Sequence, residues 1–412
     1  MANTLLTHDM IADAALPELR NQLTFGAHVN KGFSSEFHAQ GRFKKGSSVR
    51  IELPVKYRAK NAVAMDVVDM YETNTTVTVD VQSHVALNIT MQDLLFKIED
   101  FSTKHLVPAT AALANQVDYT GLAETLKIYN LVGTAGTTPS TLTPIFDAMV
   151  RMNNEAVMNS PRIAVISPKC HGALANGEMK TFFSADMVEQ LTRKGILGMF
   201  GGFEFYVDQN VRNMTCGTRA GTPLVKTQPS EGATTLAIKG LNAAETVVAG
   251  EVFTIATVCG VNPESGQAWE GNELRQFVVL ANATADGAGD ITVSVSPAIY
   301  SSAATETYLP YQTVNDIPAV NDAITWVGTL STSYPQNIMF HPNCFALTMV
   351  PFQTPMSAGQ SVKWGQSTDE RMGLAISVMT GVDLANHAED TRMDILYGWD
   401  TPRPELGVRM TG

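Results

Sequence analysis

A chain of 412 residues is too long for one hydrophobic core, which stops growing near roughly 250–300 residues, so at least two domains are expected. A net charge of −12 speaks against a dedicated nucleic-acid binder, which needs a basic footprint, though it allows nucleic acid nearby. With 44% apolar residues, mean hydropathy near zero and no apolar run near the roughly 18 residues of a membrane span, the composition reads as a soluble globular protein with no membrane partner. Met1-Ala2-Asn3-Thr4 puts no basic segment before an apolar one, so no signal peptide is expected. Cys170, Cys216, Cys259 and Cys344 are widely spaced, form no CxxC and read as reduced thiols.

Residues 1–38 read as a helical arm. Thr7 can cap a helix, Met10, Ile11, Ala14 and Ala15 give a narrow apolar stripe, and Pro17 restarts a second short helix at Glu18. Asp9, Asp13 and Glu18 lie on or near this arm, and a solvated acidic face is their plain interpretation. Residues 47–57 alternate, with Val49, Ile51, Leu53, Val55 and Tyr57 apolar against Ser48, Arg50, Glu52, Pro54 and Lys56. They form a natural antiparallel partner for a second alternating run, 76–91, with 58–75 as a mobile tip. In that run Val77, Val79, Val81, Val85, Leu87, Ile89 and Met91 share one face, and only Ala86 is apolar on the other. Sixteen extended residues span roughly 50 Å at about 3.3 Å each, beyond the core of a compact domain. The strand therefore bends within an ordinary α+β domain, or it reaches out as an arm. In the second case Val77, Val79, Val81, Val85 and Leu87 meet other chains. Periodicity alone leaves both open.

Next, Leu106, Ala109, Leu113, Val117, Thr120, Ala123 and Leu126 recur at three- and four-residue steps. With Pro108 in the first turn, the spacing predicts a helix of about 23 residues over 107–129. Past the turn-rich 133–139 come a helix over 143–158, a buried strand at 163–166, a helix at 168–176 and a strand at 203–207, an alternation that suggests an α/β layer. From about Thr222 to about Ser333 helical periodicity is absent. Short runs at 234–238, 252–258, 276–281, 291–295 and 323–327, separated by glycine and aspartate turns, predict a small all-β barrel or sandwich. Residues 223–337 hold eleven acids against Lys226, Lys239 and Arg275, so −8 of the net −12 lies there. This segment reads as an insert with its own core, facing solvent or a partner. Residues 344–350 and 374–378 resume the α/β layer, and 393–410 reads as two strands around Pro402-Arg403-Pro404.

No catalytic constellation stands out, and no cofactor or metal is expected. There is no GxSxG, P-loop, GxGxxG or HExxH. Gly198-Met199-Phe200-Gly201-Gly202 reads as a tight turn rather than a phosphate cradle, since no helix follows it. Cys170-His171 with His341 and Cys344 lacks the spacing of a zinc site, and His387-Ala388-Glu389-Asp390 reads as a polar loop.

The order of features resembles the major coat protein family of tailed phages of the Salmonella phage P-22 type. The carrying segments are Met10-Ile11-Ala12-Asp13-Ala14-Ala15-Leu16 with Asn21-Gln22-Leu23, then Lys45-Gly46-Ser47-Ser48-Val49-Arg50-Ile51 and Ala114-Asn115-Gln116-Val117-Asp118. The last are Arg392-Met393-Asp394-Ile395-Leu396-Tyr397-Gly398 and Arg403-Pro404-Glu405-Leu406. The resemblance covers nearly the whole chain, with residues 223–337 the most divergent part. It implies an α+β, HK-97-like capsid fold. Residues 1–38 would be the N-terminal arm, 39–92 the extended β-loop and 93–130 the spine helix of a peripheral domain. Residues 131–222 and 338–392 would form an α/β axial domain, 223–337 an inserted β-barrel, and 393–412 peripheral strands. It further implies hexamers and pentamers of this chain in an icosahedral shell, assembled in host cytoplasm. The implied partners are a scaffolding protein, a portal protein at one vertex, a possible decoration protein, and DNA held only non-specifically. Asp9, Asp13 and Glu18 would meet basic residues of the scaffold. A tail or decoration protein, or an enzyme with an unrecognised pocket, are the competing classes.

Overall fold

The computed structural model describes residues 8–33, 48–59, 63, 67, 69–90, 105–177, 197–352, 362–369, 373–383 and 388–412. Met91, His387, the expected 93–104 lead into the spine helix and most of the 60–68 tip lie outside the described residues. The chain divides into two compact units, one of residues 1–51, 74–121 and 345–400, the other of 52–73, 122–344 and 401–412.

Among its described residues the first unit has two α-helices, a two-stranded sheet and a larger antiparallel sheet. Helix α1, His8–Gln22, runs straight through Pro17 instead of restarting there. Both Pro17 and Asp13 are exposed, so the carbonyl that loses its donor faces water. The buried stripe is Ala12, Ala15 and Leu19, continued by Leu23, rather than Met10, Ile11 and Ala14, because three- and four-residue steps from Ala12 set the inner face. Helix α2, Val107–Gly121, buries Ala109, Leu113 and Val117 as its spacing predicts, but it ends well short of residue 129. Gly121 is the reason: the Trp399 ring occupies the place a β-carbon would take there, and glycine is a weak helix former.

The long amphipathic run is two strands. Ser48–Glu52 (β1) pairs with Asn74–Thr78 (β2), while Val81–Thr90 (β3) pairs antiparallel with Ala388–Asp400. The 47–57 run is thus the partner of β2 alone. Between β2 and β3 the chain kinks at Val79 and Asp80, where the Thr78 carbonyl presses onto Gly398, a contact only glycine permits. One edge of Ala388–Asp400 carries β3. The other is shared by Leu374–Asp383, which pairs in turn with Val362–Asp369, and by Ala346–Met349. Residues 346–349 and 374–383 therefore belong with α2 and β3. The sequence expectation joined them to the α/β layer, but both pair with Ala388–Asp400.

In the second unit a six-stranded sheet runs in the order Leu131–Val132, Gly407–Met410, Asn337–Phe340, Ile163–Ile166, Phe203–Val207, Met199–Phe200. Helices Thr143–Asn154 (α3) and Pro168–Asn176 (α4) accompany it. The two halves of the tail separate here. Ala388–Asp400 pairs with β3, whereas Gly407–Met410 enters this sheet beside Leu131–Val132 and Asn337–Phe340, so 393–412 is not one returning pair. Met199–Phe200 and Phe203 form a hairpin closed by Gly201 and Gly202, both at positive φ, the tight turn expected from that glycine run.

The other six-stranded sheet orders as Ile324–Trp326, Val252–Cys259, Leu274–Val279, Ile291–Ile299, Ala233–Leu241, Gly221–Val225. Each expected short strand of this region lies on one of these. A Leu224–Ala323 bridge, with the Val225 amide donating to Asp322 O at 3.0 Å, ties the last strand back to the first. Inside lie Phe253, Ile255, Phe277, Val279, Val293 and Ile299, with Phe253 stacked on Phe277 at 5.7 Å. This core is not the region's only burial. Val252 and Val278 pack with Tyr129 and Leu131, and Leu131 exchanges two 2.8 Å hydrogen bonds with the Gln276 side chain. Arg275 donates to Glu155 at 2.6 Å, both buried, under the Tyr129 ring. Arg409 donates to Gly250 O at 2.8 Å and Gln336 Oε1 at 3.1 Å. The acidic segment thus shares a buried polar seam with the α/β sheet.

Candidate assembly surfaces

The apolar face of the ribbon has two environments. Val77 is fully buried beside Ile51 and Ala346, and Val79 is 7% exposed beside Val350, with Val49 and Leu396 against them. Both belong to the chain's own core. Val81, Val85 and Leu87 are only half-buried, although they stand opposite Tyr397, Met393 and Thr391, which are buried. Ile89 pairs through its backbone with Glu389. On the other face Asp80, Gln82, His84 and Ala86 are exposed, so the alternation holds through the kink. Gln82 donates to Asp394 Oδ1 at 3.0 Å, and hydroxyls of Ser83, Tyr397 and Thr120 form a chain at 3.1 and 3.2 Å that ties β3 to α2.

The three arm acids do not converge. Asp9 and Asp13 are exposed one turn apart, and Asp9 Oδ1 accepts the Gln366 amide at 3.3 Å. Glu18 is half-buried and stands about 180° around the helix from Asp9 at roughly 100° per residue. What fixes the arm is Asp118, which the sequence placed in a matched motif without a role. It is 2% exposed on α2, and its Oδ2 accepts the Thr24 and Phe25 amides at 2.7 and 3.3 Å and its Oδ1 the Gly26 amide at 2.8 Å. Phe25 then stacks on Trp399 at 5.3 Å and meets Phe345 edge-on at 5.2 Å. A buried aspartate one residue past Val117 in the apolar register of α2 was the available signal, since an unpaired carboxylate would not be tolerated there.

The acidic segment keeps Glu264, Glu270, Asp286, Glu306 and Asp316 exposed, while Glu251 is buried and paired with Arg219 at 3.1 Å. Burial raises Glu251, opposed by Arg219 and by the Val248 and Gly217 amides that it accepts. All four cysteines are buried free thiols, and burial pushes Cys170 up to about 12 and Cys344 well above its ordinary value. Among the described residues no cluster of His, Cys, Asp or Glu is arranged to hold a metal, and no helix is long and apolar enough to cross a membrane.

The described residues thus give an arm held to α2 through Asp118 and, beside it, β3, on which Val81, Val85 and Leu87 are half-buried. A family model described as P22 coat protein, gene protein 5, matches residues 1–412, and the chain belongs to that family. It is a major capsid protein, a building block of the icosahedral shell of the virion. The described residues mix helices and sheets. Among solved structures it is similar to a chain of Mycobacterium phage Che8, at 12% identity and a TM-score of 0.47, over 94% of this chain and 90% of that one. The capsid of cyanophage P-SCSP1u is similar at 11% identity and 0.42, over 90% and 84%, and the capsid of Ralstonia phage GP4 at 9% identity and 0.42, over 89% and 83%. No curated protein matches the sequence.

Proposed function

We propose that the chain builds its shell by laying the 39–92 loop over a neighbouring copy, with Val81, Val85 and Leu87 as the contact strip. The observation that carries this is the half-coverage of those three residues on β3, whereas Val77 and Val79, just before it in the same alternation, are sealed. Covering them returns roughly 25 cal/mol per Å² of apolar surface, which favours association of many copies in one shell. The reading includes no catalysis. Residues 223–337 act as an inserted β-barrel on the outer face, where their excess negative charge avoids packaged phosphate. Asp9 and Asp13 offer a paired acidic spot to a basic scaffolding protein, with Glu18 a lesser contributor. A portal protein at one vertex, a possible decoration protein and assembly in the host cytoplasm complete the picture. The test is Val81→Asp with Val85→Asp in the expressed chain, viewed by negative-stain microscopy with and without a scaffolding partner. Folded subunits without shells are expected, and normal shells from the double variant would rule the strip out.

A further inference from the structure

The base of the extended loop is held by a receptor within the second unit. Arg58 Nη1 donates to Gln312 Oε1 at 3.0 Å, and Nη2 donates to the Pro263 carbonyl at 3.5 Å. Gln312 is 4% exposed, and its own Nε2 donates to Val314 O at 2.9 Å, which aims Oε1 at the loop. Gly266, at φ +71°, leaves the space open, since a β-carbon there would strike the guanidinium. Beside this slot Tyr311 Oη donates to Tyr71 O at 2.8 Å and accepts the Lys56 amide at 3.4 Å, so one hydroxyl pins both sides of the loop base. The Tyr71 ring meets Tyr308 and Tyr311 edge-on at 4.8 and 5.4 Å, and Tyr308 stacks on Tyr300 at 5.6 Å. Farther out, Tyr57, Val63, Val67 and Met70 are exposed.

We propose that this slot is a guanidinium-binding site whose ligand is the chain's own Arg58, and that it latches the loop base to the β-region before assembly. Two donors of one planar guanidinium meet acceptors on two different residues, an arrangement that an ammonium does not reproduce. A two-stranded ribbon is marginal by itself, and a loop already ordered at its base loses less freedom when it docks. The β-region thereby sets the direction in which the loop leaves.

Hydrogen exchange on the full-length, unassembled chain tests this, with Arg58→Ala, Arg58→Lys and Gly266→Ala beside the unaltered protein. The Leu53 and Lys56 amides, bonded to Thr73 O and Tyr311 Oη, should exchange about tenfold faster in Arg58→Ala, with Arg58→Lys close behind. Gly266→Ala, which alters only the receptor, should loosen the same amides. Joining it to Arg58→Ala should add little, because both remove one contact. Continued protection of Phe253, Phe277 and Val293 controls for strain at Gly266. Unchanged exchange in Arg58→Ala overturns the latch. So does protection that arises only once shells form, which would make the slot a contact between copies. Assembly followed by light scattering rests on the reading that the loop reaches a neighbour. A loosened loop with undiminished assembly would sink that reading while leaving the latch standing.

Discussion

Residues 76–79 and 81–87 carry the same alternation, yet the chain treats them differently. In the first stretch the inward valines are sealed by Ile51, Ala346 and Val350, whereas in the second Val81, Val85 and Leu87 are half-covered, although Tyr397, Met393 and Thr391 opposite them are buried. Amphipathic patterning therefore says which face of a strand leaves water, not whether the covering surface belongs to the same chain. The difference is set at Gly398, where close approach of the Thr78 carbonyl turns the strand from one sheet to the next. A β-carbon at that position would collide with the Thr78 carbonyl.

The widest separation between the two stretches should appear on introducing carboxylates. Val77→Asp with Val79→Asp puts two charges where no partner is available, at a combined cost of more than about 5 kcal/mol, comparable to the whole stability of a domain. The chain should lose its cooperative urea transition. The same exchange at Val81 and Val85 should cost about 1 kcal/mol each, since a half-exposed strand face mainly loses β-propensity and packing. Equal losses of stability from the two pairs would erase the distinction between core and contact strip.

Polar residues can be sorted by the same criterion. Asp118 is satisfied within its own unit by three backbone amides, so it belongs with Val77 rather than with Val81. Asp118→Ala strands those donors and should cost about 3 kcal/mol, read as a lowered urea midpoint at unchanged slope. Asp118→Asn keeps one carbonyl oxygen and should fall between. A loss below about 1 kcal/mol would mean that water replaces the carboxylate and that the arm is held by Phe25 and Leu19 alone.

Period and turn chemistry made much of the chain legible in sequence. The helices at 107 and 143, the buried strand at 163, the strand at 203, and the short strands of 234–327 all follow from apolar spacing and glycine turns. Partner choice was not legible. Nothing local tells residues 346–349 and 407–410 which sheet to join, because each is only four residues long and says nothing of its partner strand. The end of α2 at Gly121 and the kink at Gly398 depend on Trp399 and Thr78, far away in sequence. The seam through Arg275, Glu155 and Arg409 was hidden for a related reason. Charged residues read as surface until their partners are known, and the insert's −8 conceals a buried glutamate and a buried arginine. At the arm, the resemblance groups the three acids, whereas helical geometry separates Glu18 from the other two.

That last separation gives the smallest and most selective effect. Asp9 and Asp13 are like charges at i and i+4, which destabilises a helix by about 0.2–0.5 kcal/mol, while Asp9 in the first turn recovers a similar amount from the helix dipole. Converting both to Asn should therefore leave the urea midpoint nearly unchanged. Binding of a basic scaffolding segment should weaken, by about 0–1 kcal/mol for each exposed pair lost, and the difference should vanish as salt is raised toward 1 M, where the Debye length falls to about 3 Å. Glu18→Gln supplies the contrast. Lying around the helix from Asp9 and half-buried, it should change affinity less than either aspartate. Titrations at low and high salt with the three single variants decide the matter. If Glu18→Gln matches the aspartates, or if binding is insensitive to salt, the acidic spot is not where the scaffold docks, and the exposed part of the arm has another partner.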